Sequence, residues 1–174
     1  MAGRKRPGPG SVRGVSRRGT ASAGIVFGLL SLLFLHAAGA AEPARSELTL
    51  VTQTGKRFMF QVEIAQSAAE KRQGLMFRER LEKNHGMLFL YEPAREVGMW
   101  MKNTLLPLDI IFIDADGRVA NIARDAVPLS ETNLRSRGAA RAVLEINGGL
   151  TGSLGISVGD RVAYARLWPD PDLR

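Results

Sequence analysis

The 174-residue chain contains no cysteine. That absence excludes a disulfide scaffold, a thiolate zinc or iron–sulfur site, a cysteine nucleophile and a lipidated N-terminal cysteine. Histidine is nearly missing as well: only His36 and His85 occur. A histidine cluster for zinc is therefore unavailable. Aromatic residues make up 6% of the chain, but hydrophobic residues reach 45%, which is ordinary for a globular core. Acidic residues are absent from positions 1–40, which hold Arg4, Lys5, Arg6, Arg13, Arg17 and Arg18. Positions 41–174 hold eighteen basic and seventeen acidic residues, so the formal net charge of +7 belongs almost wholly to the N-terminal arm. A domain so near neutrality has no long-range field to gather phosphate backbones, and no nucleic-acid partner is expected.

The arm has the three parts of a secretory signal. The basic stretch precedes an apolar run from Gly24 to Leu35, and small residues follow in Ala37-Ala38-Gly39-Ala40-Ala41. Ala38-Gly39-Ala40 supplies an A-x-A site, with cleavage expected after Ala40 and a periplasmic or secreted product. The alternative is an uncleaved inner-membrane anchor, since 21 residues from Ala21 to Ala41 are long enough to span. Ser22, Ser31, His36 and the Ala/Gly-rich end make that a poor permanent span. Any membrane association is expected only through this segment.

The rest divides into a short polar lead over 41–47, one globular domain over 48–168 and a tail over 169–174. Period-2 patterning dominates. Strands are expected at Leu48–Thr52, Phe58–Ile64, Gly86–Tyr91, Val97–Met101, Leu108–Ile113, Val119–Ala123, Ala142–Ile146 and Arg161–Leu167. Phe58, Phe60, Val62 and Ile64 share one face, and Thr54-Gly55-Lys56 marks a hairpin turn. Leu108–Ile113 is apolar on both faces, the pattern of a central buried strand. Ser67-Ala-Ala-Glu70 is a capping box, which predicts a helix from Ala68 to about Gly74. A second short helix is expected around Gly149–Leu154. The fold class is β-rich α+β: a compact mixed or antiparallel barrel-like sheet with one or two short helices, closed or partly closed because eight short strands otherwise leave bare edges. A monomer is expected.

Several segments together resemble one family. They are Glu70-Lys-Arg-Gln-Gly-Leu-Met76, Gly86-Met-Leu-Phe89, Trp100-Met-Lys-Asn-Thr104, Pro107-Leu-Asp-Ile-Ile-Phe-Ile-Asp114, Val143-Leu-Glu-Ile146 and Gly159-Asp160. This set resembles the bacterial and archaeal domain of unknown function 192 over about Leu48 to Leu167. The resemblance implies a small β-rich fold, frequent export and no established reaction.

Chemistry is best sought in the polar cluster Lys102-Asn103-Thr104, with Asp109 five residues after Thr104. Along an extended segment Trp100 and Lys102 share a face. Asp109 lies within an apolar run, and an unpaired buried charge costs several kcal/mol, so Lys102 or Arg72 is its expected partner. The functional expectation is a ligand pocket for a small molecule or envelope component. Lys102 attracts an anionic group there, Asn103 and Thr104 orient it, and Trp100 forms the wall. The structural alternative is a salt-bridged staple at Asp109 and a turn at Asn103 and Thr104. Arg72 joins the pocket if its helix points it at the sheet. Glu145, which alternates against Leu144 and Ile146, is a second pocket carboxylate if its face is interior and plain surface otherwise.

Two other functions follow from residue types. A hydrolase would use Asp109 with Glu145 as acid and base, about 5 to 9.5 Å apart, or Lys102 as the base of a Ser–Lys pair. A copper-handling protein would use Met76, Met87, Met99 and Met101 with His85; core packing is the plainer role for such methionines. No metal or cofactor is otherwise expected. Gly152-Ser153-Leu154-Gly155 misses the G-x-S-x-G elbow because Thr151 holds the first glycine position. Asp114-Ala-Asp116-Gly117 opens like a calcium loop but lacks its closing glutamate, and reads as a hairpin turn.

Overall fold

The structure, a computed structural model, describes residues 45–170. The expected export segment, residues 41–44 of the lead and residues 171–174 of the tail lie outside the described residues. In chain order the elements are β1 (Arg45–Val51), β2 (Arg57–Ala65), α1 (Ala68–Gln73), β3 (His85–Arg95), β4 (Gly98–Met99) and β5 (Leu108–Ile113). They continue with β6 (Val119–Ala126), β7 (Leu134–Arg135), β8 (Ala140–Asn147), α2 (Leu150–Leu154) and β9 (Arg161–Ala163).

Seven strands form one mixed sheet in the order β6-β5-β8-β3-β2-β1-β9, and β4 pairs with β7 in a separate two-stranded arm. Within the large sheet only β2 and β3 run parallel, joined by the crossover that contains α1. The sheet curls into a half-barrel whose two edges touch at the start of β6. Arg118, just before β6, bridges Arg161 of β9. Val119 N–H donates to the Asp160 carbonyl at 2.8 Å, and Val162 N–H to the Gly117 carbonyl at 2.7 Å. Edge pairing of this kind removes the exposed donors and acceptors that short strands otherwise present. The expected barrel-like, β-rich α+β fold is what forms.

Alternation along the three central strands sends side chains into two cores. Leu88 and Leu90 of β3, Ile111 and Ile113 of β5, and Ala142, Leu144 and Ile146 of β8 fill the inside of the curl. Phe58, Phe60, Val62 and Ile64 join them from β2, the face expected from the sequence. Met87, Phe89 and Tyr91, Ile110 and Phe112, and Val143 point outward. That outer face is not solvent. Leu75, Val97, Met99 and Met101, from the segments after α1 and around β4, cover it. Each fully buried aliphatic or aromatic side chain contributes roughly 1.5–3 kcal/mol. The second core therefore holds the covering segments firmly in place.

Some strand expectations are corrected. Val97–Met101 shrinks to Gly98–Met99, since among the described residues its only partner is the two-residue β7. Arg161–Leu167 ends at Ala163 and continues as a turn closed by the Tyr164–Trp168 bridge. Asp114 takes the expected hairpin turn, its carboxylate accepting from Asp116 N–H and Arg118 N–H, each at 2.9 Å.

Candidate functional site

The site is built on the outer face by the capping of α1. Ser67 Oγ accepts from Glu70 N–H at 3.2 Å, and Glu70 Oε2 accepts from Ser67 N–H at 2.7 Å and Gln66 N–H at 2.9 Å. The last turn then carries Lys71 and Arg72, and Gly74 stops the helix at φ 48°, ψ −134°. A Cβ there would lie 3.2 Å from Cζ of Phe89. Glycine alone thus lets the end of α1 settle on the sheet. From the other side comes the loop 100–105, shaped by Asn103 at φ 54°. It is tied by Phe77 N–H to the Asn103 carbonyl at 2.8 Å and by Met101 N–H to the Ser130 carbonyl at 2.9 Å.

Between these two covers lies a cavity of about 90 Å³, lined by Lys71, Arg72, Tyr91, Trp100, Thr104 and Glu145 among others. Glu145 comes from the middle of β8, directly across from Met87 of β3 and Ile110 of β5. It is 4% exposed and makes no hydrogen bond or ion pair with any described residue. Burial pushes its carboxyl up to about 8, so it is mostly protonated at neutral pH. Tyr91 is pushed up to about 12, chiefly by burial, with Arg95 opposing and Glu145 adding to the rise. Its hydroxyl donates to Met99 Sδ at 3.7 Å, and its ring receives Lys71 Nζ at 4.8 Å from the centroid. Burial, then the nearby Arg95, lowers the Lys71 ammonium, with Glu70 opposing. Trp100 stands at the edge of the cavity, 49% exposed.

Four of the residues expected in a pocket therefore meet: Arg72, Trp100, Thr104 and Glu145. Three do not line the cavity. Lys102 points to the outside, its Nζ 5.5 Å from the Trp100 ring centroid and 3.5 Å from Glu131 Oε1. Asn103 serves the turn, as in the structural alternative. Asp109 sits opposite Ile146 on the inner face of the sheet and is fully buried. Neither Lys102 nor Arg72 pairs with it. Its carboxylate accepts from the N–H groups of Asp125 at 2.8 Å, Gly149 at 3.1 Å and Thr151 at 2.7 Å, and from Thr151 Oγ1 at 2.7 Å. Arg124 Nε donates in turn to Thr151 Oγ1 at 3.1 Å, so a cation is one hydroxyl removed.

The acid/base pair does not form, because Asp109 and Glu145 face opposite sides of the sheet. For the copper reading, Met87, Met99 and Met101 are core residues and His85 lies 3.4 Å from Glu82. Among the described residues no group of three or more His, Asp or Glu side chains is placed to hold a metal ion. Sequence reasoning missed Lys71 and Tyr91 as cavity residues. The available signals were the adjacency of Lys71 to Arg72 behind a capping box, and the outward parity of Tyr91 with Met87 and Phe89.

A family model described as Uncharacterized ACR, DUF192, matches residues 49–164. No curated protein matches the chain. A solved protein of unknown function from Novosphingobium aromaticivorans DSM 12444 is 45% identical, with a TM-score of 0.69. That match covers 72% of this chain and 89% of the other. A protein described as a candidate transcription regulator from Sinorhizobium meliloti 1021 is 42% identical, with a TM-score of 0.71. Here the coverage is 73% of this chain and 98% of the other.

Proposed function

The chain belongs to the domain of unknown function 192 family, and for it we propose the role of an exported, small-ligand-binding module of the cell envelope. The observation that carries the binding role is Glu145. A carboxyl group largely withdrawn from water, with no hydrogen-bond partner among the described residues, is costly to hold ionised. It faces a cavity rather than a sealed core, with two cations and an exposed indole around the opening. Convergence of charged and polar groups on one concavity beside aromatic side chains gives a small ligand both orientation and contact area. Export rests on the basic, apolar and small-residue sequence of positions 1–40. The regulator description of the Sinorhizobium neighbour is not carried over, because the near balance of charge beyond residue 40 argues against nucleic-acid affinity.

Two measurements test this. A thermal-shift screen of the purified protein against envelope metabolites and glycan fragments is expected to yield a ligand whose stabilisation is lost in Glu145→Leu and Trp100→Ala. A ligand whose stabilisation survives both changes binds elsewhere and removes the reading. N-terminal sequencing of the protein recovered from cells is expected to begin at Ala41; an intact Met1 or Ala2 terminus would replace cleavage with anchoring.

A further inference from the structure

Resting on that reading, we propose that the ligand is a small organic acid. Its carboxylate enters between Glu145 and the cations Lys71 and Arg72, and its body lies against Trp100.

Size is the first argument. A cavity of about 90 Å³ is well below the roughly 300–1,000 Å³ of a pocket that swallows a drug-sized molecule. It admits a head group of a few atoms and leaves the remainder of the ligand outside. The indole is the surface on which that remainder would rest. Trp100 borders this cavity on one side, and on the other a broader hollow lined by Gly98, Met99, Asn133 and Arg135.

Charge decides the nature of the head group. On the outer face Glu145 is neighboured by Met87 and Tyr91 of β3 and by Ile110 of β5. Lys71 and Arg72 come from α1, and Arg95 stands over the Tyr91 ring at 5.1 Å from its centroid. Beyond Met87 on the same face, Glu63 is spent on a two-pronged pair with Arg78, both contacts 2.6 Å. Asp109 faces away, and Lys102 is paired with Glu131 outside. Lys71 and Arg72 thus share the cavity lining with Glu145, and among the described residues no second carboxylate lines it. An ammonium ligand would be repelled by Lys71, Arg72 and Arg95. A carboxylate would be attracted by them, and it would accept the O–H of a protonated Glu145, for which no described residue serves as acceptor. Hydrogen bonds to an ionised acceptor are the strong ones. The raised carboxyl of Glu145 keeps that donor present at neutral pH.

The test is calorimetry on the purified protein with three probes of one shape: benzoate, benzyl alcohol and benzylamine. Benzoate is expected to bind at least tenfold tighter than the other two. Its Kd is expected to weaken about tenfold from pH 7 to pH 9, as Glu145 loses the proton it donates. In Glu145→Gln that pH ratio should fall towards one, and in Trp100→Ala benzoate binding should weaken. Tightest binding by benzylamine, or benzoate affinity that strengthens as pH rises, overturns the acid while leaving a binding site in place. Equal benzoate affinity in wild type and Trp100→Ala overturns it as well, because the acid then sits elsewhere. A protein that binds none of the three, yet is stabilised by another compound in a manner lost on Glu145→Leu, loses only this inference. Failure of every compound removes the binding reading too.

Discussion

Asp109 and Glu145 occupy adjacent strands one residue out of register, Asp109 across from Ile146 and Glu145 across from Ile110, and they point to opposite sides of the sheet. Both carboxyls are buried, yet their surroundings differ in kind. Asp109 receives three backbone N–H groups and a hydroxyl, which replace its hydration. Glu145 receives nothing from the described residues. A satisfied buried carboxylate is a structural device; an unsatisfied one facing a cavity is a site of potential function. One strand parity therefore separates a clamp from a binding group.

The first prediction concerns the cost of that arrangement. An unfolded Glu145 ionises near 4.5, and the folded one near 8. Between those values the folded chain holds the extra proton, so stability falls as pH rises through this window and is level above it. Glu145→Gln removes the titration and no hydrogen bond to a described residue. Its stability by urea unfolding should match wild type at pH 4 and exceed it by a few kcal/mol at pH 9. A constant difference across that range would mean that Glu145 is not held protonated.

Asp109 should behave in the opposite way. Replacing it by alanine leaves the Asp125, Gly149 and Thr151 N–H groups without their acceptor, at about 1–3 kcal/mol for each buried donor. Asp109→Ala should cost on the order of 4 kcal/mol in urea unfolding. If the variant lost only about 0.5 kcal/mol, the clamp around α2 would not be a stabilising feature.

Much of this was legible before any coordinates. The Ser67 to Glu70 box located α1 within one residue, because capping is a local chemistry written in four letters. The double-sided burial of Leu108–Ile113 also followed from its unbroken apolar run. What could not be read was which segment covers the outer face. Alternation sets Glu145 on the face opposite Leu144 and Ile146, but it does not tell whether that face meets solvent or a cover. The cover depends on Leu75, Met99 and Met101 packing over Met87 and Phe89, contacts distant in sequence. Likewise Asp109 found backbone amides of 125, 149 and 151, not the nearby lysine, and no residue type announces a backbone donor. The strand expected at Val97–Met101 failed for the same reason: its partner, β7, has no periodicity to betray it.

Lys102 supplies a contrasting expectation. Its ammonium is partly exposed and its partner Glu131 more so. Exposed ion pairs contribute at most about 1 kcal/mol. Lys102→Ala should change stability by no more than about 0.5 kcal/mol and leave the binding of a cavity ligand within about twofold. A loss of tenfold or more would return Lys102 to the site from which its geometry excludes it.

Gly74 is the position at which backbone freedom and the cavity meet. Its φ of 48° and ψ of −134° lie where a side chain is strained, at a cost of about 1–3 kcal/mol. An added methyl would also stand 3.2 Å from Phe89 Cζ, and Phe89, 1% exposed, lines the same cavity as Glu145. Relief comes either from the Phe89 ring shifting into the cavity it lines or from α1 rising off the sheet, and both change the space between Glu145 and the cations Lys71 and Arg72. Gly74→Ala should therefore lower the urea midpoint and weaken ligand binding together. Gly55→Ala, at a comparable positive φ of 83° with nothing near its Cβ, should lower stability alone. Equal binding by both variants would show that the helix end does not set the shape of the cavity.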